Sequence, residues 1–305
     1  MEKVVVKKSK HIPEKGFHYT AMVLLILLAI YSIVPFFLML AISISSEATL
    51  SKNGYQFIPA EFSFAAYKYL WAKRLTIGRC YMITILTTVI GTVVNLVITS
   101  LFAYPLSRQD FKHRNVFAFI LFFTLLFNGG LTASYIVWTR LFMIKNTIWA
   151  LLIPGLLMGG MNVLMVRNYY SANIPFAIIE AARIDGANDL KIYTGIMVPL
   201  SKPVMTTIGL FAALGYWNNW TNGLYYITDA KLYSVQVYLN KLMNDIAYLK
   251  SASNGMESAQ LATMSFPTEG ARMAIAMIAI LPILMVYPFI QKELVKGMVV
   301  GGVKG

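Results

Sequence analysis

Apolar residues in this chain come in long uncharged blocks, not in the alternating or every-third patterns of a soluble fold. No Asp, Glu, Lys or Arg stands between Lys15 and Glu47, between Arg79 and Arg108, or between Arg114 and Arg140. The same holds between Lys145 and Arg167, between Lys202 and Asp229, and between Arg272 and Lys292. A helix needs about 20 mainly apolar residues to cross the hydrocarbon core of a bilayer. The blocks therefore predict six spans: about Thr20 to Ser43, Tyr81 to Ala103, Asn115 to Asn128-Gly129-Gly130, Thr147 to Val166, Val204 to Ile227, and Met273 to Ile290. Pro35, Gly91, Pro154 and Pro282 fall inside spans, where neighbouring helices are expected to re-satisfy the freed backbone groups.

Composition agrees with this pattern. Of 305 residues, 58% are hydrophobic and 13% charged, against about 25% charged in an ordinary soluble domain. Six spans put both termini on one side, and basic residues in short loops mark the cytoplasmic side. With the termini inside, the cytoplasmic segments hold Lys3, Lys7, Lys8, Lys10 and Lys15, then Arg108, Lys112 and Arg114. Arg167, Arg183, Lys191 and Lys202 follow, then Lys292, Lys296 and Lys304, together 15 of the 26 basic residues. The expected fold is thus all-α and membrane-embedded with both termini cytoplasmic. Residues 1–19 form a basic N-terminus, 20–291 the transmembrane domain and 292–305 a cytoplasmic tail. Outside segments cover 47–80 and 228–272, and a cytoplasmic loop covers 167–203. The net charge of +13 flanks helices and does not gather on one face, which fits anionic lipid and topology and not a nucleic-acid partner.

Several chemistries find no residues to carry them. No G-x-x-x-x-G-K-[ST] loop is present to cradle ATP phosphates. His11, His18 and His113 have no ligand spacing to one another, and the single Cys80 can form neither an intramolecular disulfide nor a thiolate metal site. No catalytic residue, metal or cofactor is expected in this chain. The spans also lack the Asp, Glu, Lys or Arg with which proton-coupled transporters bind their coupling ion near the midplane. A sodium site built of carbonyls and hydroxyls stays open. If the chain moves a solute, its energy is expected from another subunit.

The loop from Arg167 to Pro203 reads as a helix-turn-helix. Pro175 opens a helix at a position where a missing N–H does no harm. Phe176, Ile179 and Ala182 share a face, Asp185-Gly186 signals a turn, and Leu190, Tyr193 and Met197 line a second short helix that Pro199 and Pro203 interrupt. By pattern alone this is equally an amphipathic hairpin on the lipid headgroups. The residues themselves, Glu180-Ala181-Ala182-x-x-Asp185-Gly186-Ala187 and then Ile196-x-x-Pro199-Leu200-x-x-Pro203, resemble the EAA loop of bacterial ABC importer permeases. Asn146-Thr147-Ile148-Trp149-Ala150, Met165-Val166-Arg167-Asn168-Tyr169-Tyr170 and Trp217-Asn218 are similar to carbohydrate permeases of that group. Asn128-Gly129-Gly130-Leu131 resembles its oligosaccharide branch, although that branch often carries proline where this chain has Ala133. The ending Gly301-Gly302-Val303-Lys304-Gly305 is similar to that of the smaller maltose-transporter permease.

The resemblance implies the type I importer permease fold and a role in import by alternating access. It implies a second homologous permease, two ATPase subunits that hold ATP and Mg, and an extracellular, lipid-anchored solute-binding protein. It assigns ATPase coupling to Glu180, Ala181, Ala182, Asp185, Gly186, Ala187 and Pro199, and ATPase contact to the tail residues Gly301, Gly302 and Lys304. For the solute path, the residues themselves suggest Tyr216, Trp217, Asn218, Asn219 and Trp220 of span five, with Asn162 and Asn95 from spans four and two. Aromatic faces and amides suit a neutral sugar, and Tyr216, Asn219 and Trp220 fall at i, i+3 and i+4 of a helix. The competing view makes them ordinary aromatic-belt and interhelical contacts. An ABC permease for peptides or metal complexes, a sodium-coupled transporter and a membrane scaffold or receptor are the alternative functions.

Overall fold

The computed structural model describes residues 14–253 and 268–302. Among these, regular structure is helical, with one isolated antiparallel bridge between Ser45 and Phe62. The chain divides into two compact units, the first holding residues 14–71 and 268–277 and the second 72–253 and 278–302.

The first unit begins with α1 (Glu14–Ser43), followed by α2 (Glu47–Asn53) and α3 (Ala65–Ala72). From residue 16 to 37 almost every side chain of α1 is exposed, so this helix is apolar all round, as a lipid-facing span must be. Only its end, Ala41 to Ser43, is buried. There the chain is laced to residues 61–63 by Ser46 N–H to the Glu61 carbonyl (3.0 Å) and Ser63 N–H to the Ile44 carbonyl (2.8 Å). Glu47 accepts from the Gly270 N–H (2.7 Å), and the buried Glu269 is held by Tyr55 (3.1 Å) and Arg272 (3.0 Å).

The second unit is organised on α4 (Arg74–Ser107), the longest described helix of that unit. After it come α5 (Arg114–Leu126), α6 (Gly130–Ile136), α7 (Trp149–Leu152), α8 (Gly160–Asn173), α9 (Phe176–Ile184), α10 (Asp189–Ile192), α11 (Val198–Leu200), α12 (Lys202–Trp217), α13 (Thr221–Tyr226) and α14 (Val235–Ser253). The final helix, α15 (Thr268–Gly302), supplies residues to both units. One apolar core gathers Cys80, Leu151, Tyr226, Tyr233, Val237 and Ala279; the other gathers Ala103, Val163, Tyr170, Ile179, Ile192 and Ile208. Cys80 and Ala103 are separated along α4 by about 35 Å at the helical rise, so the cores lie at opposite ends of the unit.

Spans one, two and six match single helices, and two of these, Gly16–Ser43 and Arg74–Ser107, are long and apolar enough to cross a membrane alone. The expected spans four and five are not single rods, whereas span three matches α5 and ends, as expected, at Asn128-Gly129-Gly130. Arg114–Leu126 and Gly130–Leu141 meet at 114°, because Asn128 accepts from the Gly130 N–H (2.8 Å) while Gly130 takes a positive φ of 78°. Asp189–Leu200 and Lys202–Trp217 meet at 79°. Span four is interrupted outright between Leu152 and Gly160. Pro154 removes a donor and Gly155 adopts φ 72°, so a proline expected to be accommodated inside the helix ends it instead. Span five likewise breaks at Asn218–Trp220 before α13 resumes.

Between the two cores α12 lies directly on α4. A methyl group at Gly91 would overlap the ring of Tyr216, whereas one at Gly78 of the same helix would meet nothing within 4 Å. Gly91→Ala is therefore expected to destabilise by about 1–3 kcal/mol through overpacking. Gly78→Ala should be neutral or slightly stabilising, since alanine is the better helix former. Thermal unfolding of the detergent-solubilised variants checks the pair, and equal melting temperatures would contradict the contact.

Candidate functional site

The loop from Arg167 to Pro203 is a hairpin rooted in the core of Ala103, Val163 and Ile208. Pro175 (ψ 133°) stands before α9, Asp185 closes it, and Gly186 turns the chain at φ 79°. The Ala187 N–H bonds the Ala182 carbonyl (2.9 Å), and Asn188 caps α10 by accepting from the Lys191 N–H (2.9 Å). Ile179 is buried, and Ala182 and Ala187 pack on the same core. The outward face carries Ala177, Glu180, Ala181 and Ile184, all exposed, with Ile184 86% exposed. Ala182 thus belongs to the inner joint of the hairpin, and Glu180 and Ala181 to its free face.

The second arm differs from expectation. Leu190 is 66% exposed, and Ile192 takes its place in the core beside Tyr193 and Met197. The reason is a π-helical turn over Tyr193–Met197, whose wider i to i+5 repeat brings Ile192 and Met197 nearly to one side. Ser100 and the Tyr193 hydroxyl meet at 2.5 Å inside the core. Pro199 lies in α11, just ahead of the 79° bend at Ser201.

Charges that the sequence reading did not single out tie this hairpin to the α4–α5 turn. Asp110 receives two hydrogen bonds from Arg108 (3.2 and 3.3 Å) and an ion pair from Arg183 (2.7 Å), which also reaches Asp189 (3.3 Å). Tyr104 donates to the same Asp189 (3.3 Å). The guanidinium of Arg108, helped by that of Arg183, holds the Asp110 carboxyl down at about 2, and the carboxylates raise Arg183 in turn. A carboxyl depressed in this way contributes above its ordinary range and loses that contribution only as pH falls through its lowered value. The network therefore stays charged throughout the neutral range. The only sequence signal for it was an acid within a short, otherwise basic loop.

The interruption of span four leaves carbonyls without helical partners, and three of them are met by side chains. Tyr216 donates to the Leu152 carbonyl (2.9 Å), Asn222 to Pro154 (2.8 Å) and Asn95 to Leu156 (2.7 Å). Tyr216 and Asn95, first read as solute contacts, are thus engaged by backbone. Asn219 accepts from the Asn222 N–H (3.1 Å), and Asn218 donates to the Leu214 carbonyl (3.0 Å). Trp217 is buried, and its indole N–H has no partner; Trp220 is exposed, and Asn162 is half-buried in the first turn of α8. With the helix ending at Trp217, Tyr216, Asn219 and Trp220 do not form the single helical face expected of them. Asn146, at φ 57°, clasps the chain after α13 by accepting from Thr228 and Asp229 N–H groups (2.6 and 3.1 Å). Gly301 and Gly302 end α15, while Lys304 lies outside the described residues. No cluster of three or more His, Cys, Asp or Glu able to hold a metal occurs among the described residues.

Comparison with known proteins decides the family. The polygalacturonan/rhamnogalacturonan transport system permease protein YtcP of Bacillus subtilis (strain 168) is 34% identical over 281 residues, which cover 92% of this chain and 96% of that protein. Protein LplC of the same organism is 36% identical over 276 residues, 90% of each. The chain belongs to the permeases of bacterial carbohydrate ABC transporters. No family model matches it. A crystal structure of a bacterial ABC transporter involved in the import of the acidic polysaccharide alginate contains a chain similar to this permease, with a TM-score of 0.77 and 31% identity, covering 95% of this chain and 99% of that one. As a member of this family the permease is an integral protein of the bacterial plasma membrane and a transport component.

The break in span four makes a direct prediction. Asn95→Ala and Asn222→Ala should each cost about 1 kcal/mol, the scale of interhelical hydrogen bonds in membranes. The double variant should be close to additive, because the two amides serve different carbonyls. Unfolding in graded denaturing detergent measures both, and no loss in either variant would show that the carbonyls find other donors.

Proposed function

We propose that this permease forms one half of the translocation path of an ATP-driven importer for a sugar, an oligosaccharide by preference. It would pair with a second homologous permease, two ATPase subunits that carry ATP and Mg, and an extracellular lipid-anchored binding protein. The proposed topology keeps six spans, two of them broken, with both termini and the hairpin cytoplasmic. The carrying observation is the hairpin itself, an exposed Glu180–Ala181–Ile184 face on a lever fixed by the core around Ala103 and Ile208 and by the Asp110–Arg183–Asp189 network. Such a lever can bias two global states only if it moves as a body. Asp185, Gly186, Ala187 and Pro199 shape the joint, and Gly301, Gly302 and Lys304 are proposed to reach the ATPases. Trp217, Asn218, Asn219, Trp220 and Asn162 remain the proposed lining of the solute path; Trp217 keeps an unpartnered indole N–H, while Tyr216 serves the fold. A permease for a non-sugar solute shares the hairpin, and the family relationship favours sugar.

Gly186→Leu tests the lever. A side chain there meets no neighbour within 4 Å but must adopt φ 79°, a left-handed conformation costing about 1–2 kcal/mol. Assembly of the reconstituted complex should persist while uptake is lost from hydrolysis. Unchanged uptake per ATP would refute the coupling role. A panel of neutral oligosaccharides, uronate oligosaccharides and peptides, offered to the co-purified binding protein, tests the solute class. Stimulation by peptide alone would reverse it.

A further inference from the structure

We propose that Ser100 and Tyr193 are a positioning pair, whose hydroxyl contact fixes the register of the hairpin on α4 so that a displacement of the hairpin carries span two with it. The last turns of α4 hold Ser100 and Tyr104, with Arg108 just past the helix end. A spacing of four residues keeps the three on one face. Each meets a different part of the hairpin. Ser100 reaches Tyr193 of the second arm (2.5 Å), and Tyr104 reaches Asp189 at the start of that arm (3.3 Å). The Arg108 guanidinium lies 5.7 Å from the ring centre of Phe176, which opens the first arm. Arg183, near the far end of that arm, joins through Asp110 (2.7 Å), which Arg108 also holds. Both arms therefore bear on one face of α4 and the turn that follows it.

Of these polar links, the Ser100–Tyr193 bond alone has both partners buried. Ser100 is 2% exposed and Tyr193 9%, whereas the side chains of Asp110 and Asp189 are 41% and 68% exposed. Links open to solvent are worth little each, while a buried bond is strengthened by its low-dielectric surroundings. Its protons are accounted for. Ser100 donates to the Val97 carbonyl of its own helix (3.2 Å), so its oxygen accepts from the Tyr193 O–H. The Tyr193 ring is held in turn 5.6 Å from that of Tyr104. The rest of the joint is apolar, with Ile192 and Met197 buried beside Ala103 and Ile208. Apolar burial holds two surfaces together but has no direction, so it does not choose between neighbouring positions of an arm along a helix. A short buried hydroxyl bond does. The inference rests on the hairpin being the lever that the ATPases move.

The test uses the assembled transporter in nanodiscs, with nitroxide labels on Leu190→Cys of the second arm and Val93→Cys of α4, both exposed positions. Native Cys80 is 1% exposed and out of reach of the label. With the pair intact, the distance between labels should be the same without nucleotide and in the vanadate-trapped ATP state, because arm and helix move as one body. In Ser100→Ala/Tyr193→Phe it should shift by about 2–5 Å on trapping, the scale of helix slips between packed states. Tyr193→Phe alone should slip as well, and it decides the matter if the double variant fails to assemble. Melting separates this role from a merely structural one. Ser100→Ala alone orphans the Tyr193 hydroxyl and should melt about 2–4 °C lower. Adding Tyr193→Phe removes the orphan and should restore the melting temperature while the slip remains. Tyr104→Phe, which leaves Asp189 to Arg183, should not slip. A distance that already changes with the pair intact, one that stays constant without it, or an equal slip in Tyr104→Phe would overturn the proposal. Hydrogen exchange at residues 180–184, with and without the ATPase subunits, reads the underlying contact separately. Slowed exchange with constant distances in every variant removes the positioning pair and leaves the lever standing; exchange that the ATPases do not slow removes both.

Discussion

A backbone carbonyl set free inside a bilayer has no water to turn to, and the second unit is built around that constraint. Pro154, Gly155, Gly159 and Gly160 unwind span four, and the unwinding would be intolerable without Tyr216, Asn222 and Asn95. These three donors come from α12, α13 and α4, so closing one break fixes the relative placement of three helices. Gly91 follows from the same requirement, because the Tyr216 ring must lie flat on α4 for its hydroxyl to reach the Leu152 carbonyl. Polar residues at membrane depth therefore serve the fold first, and the solute is left to those that remain.

An apolar core sits on each side of this polar waist, and the one around Ala103 and Ile208 continues into the hairpin. Ile179, Ile192 and Met197 belong to the same cluster as Val163 and Ile208 of the spans. Exposed ion pairs are individually worth about 0.2–1 kcal/mol, so the Asp110–Arg183–Asp189 network adds orientation more than stability. The π turn at Tyr193–Met197 performs a related task, rotating the second arm so that Tyr193 meets Ser100 while Leu190 faces out. A motion imposed on Ile184 and Glu180 has a continuous path of packed atoms into α4, α8 and α12.

Much of this was legible from residue order. Charge-free blocks announced a multi-span helical protein, and Pro175 and Gly186 stand at the expected helix start and turn. Asn128-Gly129-Gly130 was read as the end of a span, and it is a sharp corner after which helix resumes. The split of span four was half visible in the pairs Pro154-Gly155 and Gly159-Gly160. Those pairs imply free carbonyls, which imply donors nearby, but hydropathy alone counts the segment as apolar and so as continuous.

Local chemistry thus determined which stretches could enter the membrane and where the hairpin begins and turns. Each of those depends on a residue and its sequence neighbours. Only the tertiary structure decided that Asn95 and Asn222 hold the fold, and that Ala182 faces inward and Leu190 outward. An amide can serve a backbone carbonyl or a sugar with the same geometry. Which of these it serves depends on what lies 3 Å away, and that is set by residues some 60 to 70 positions distant in the chain.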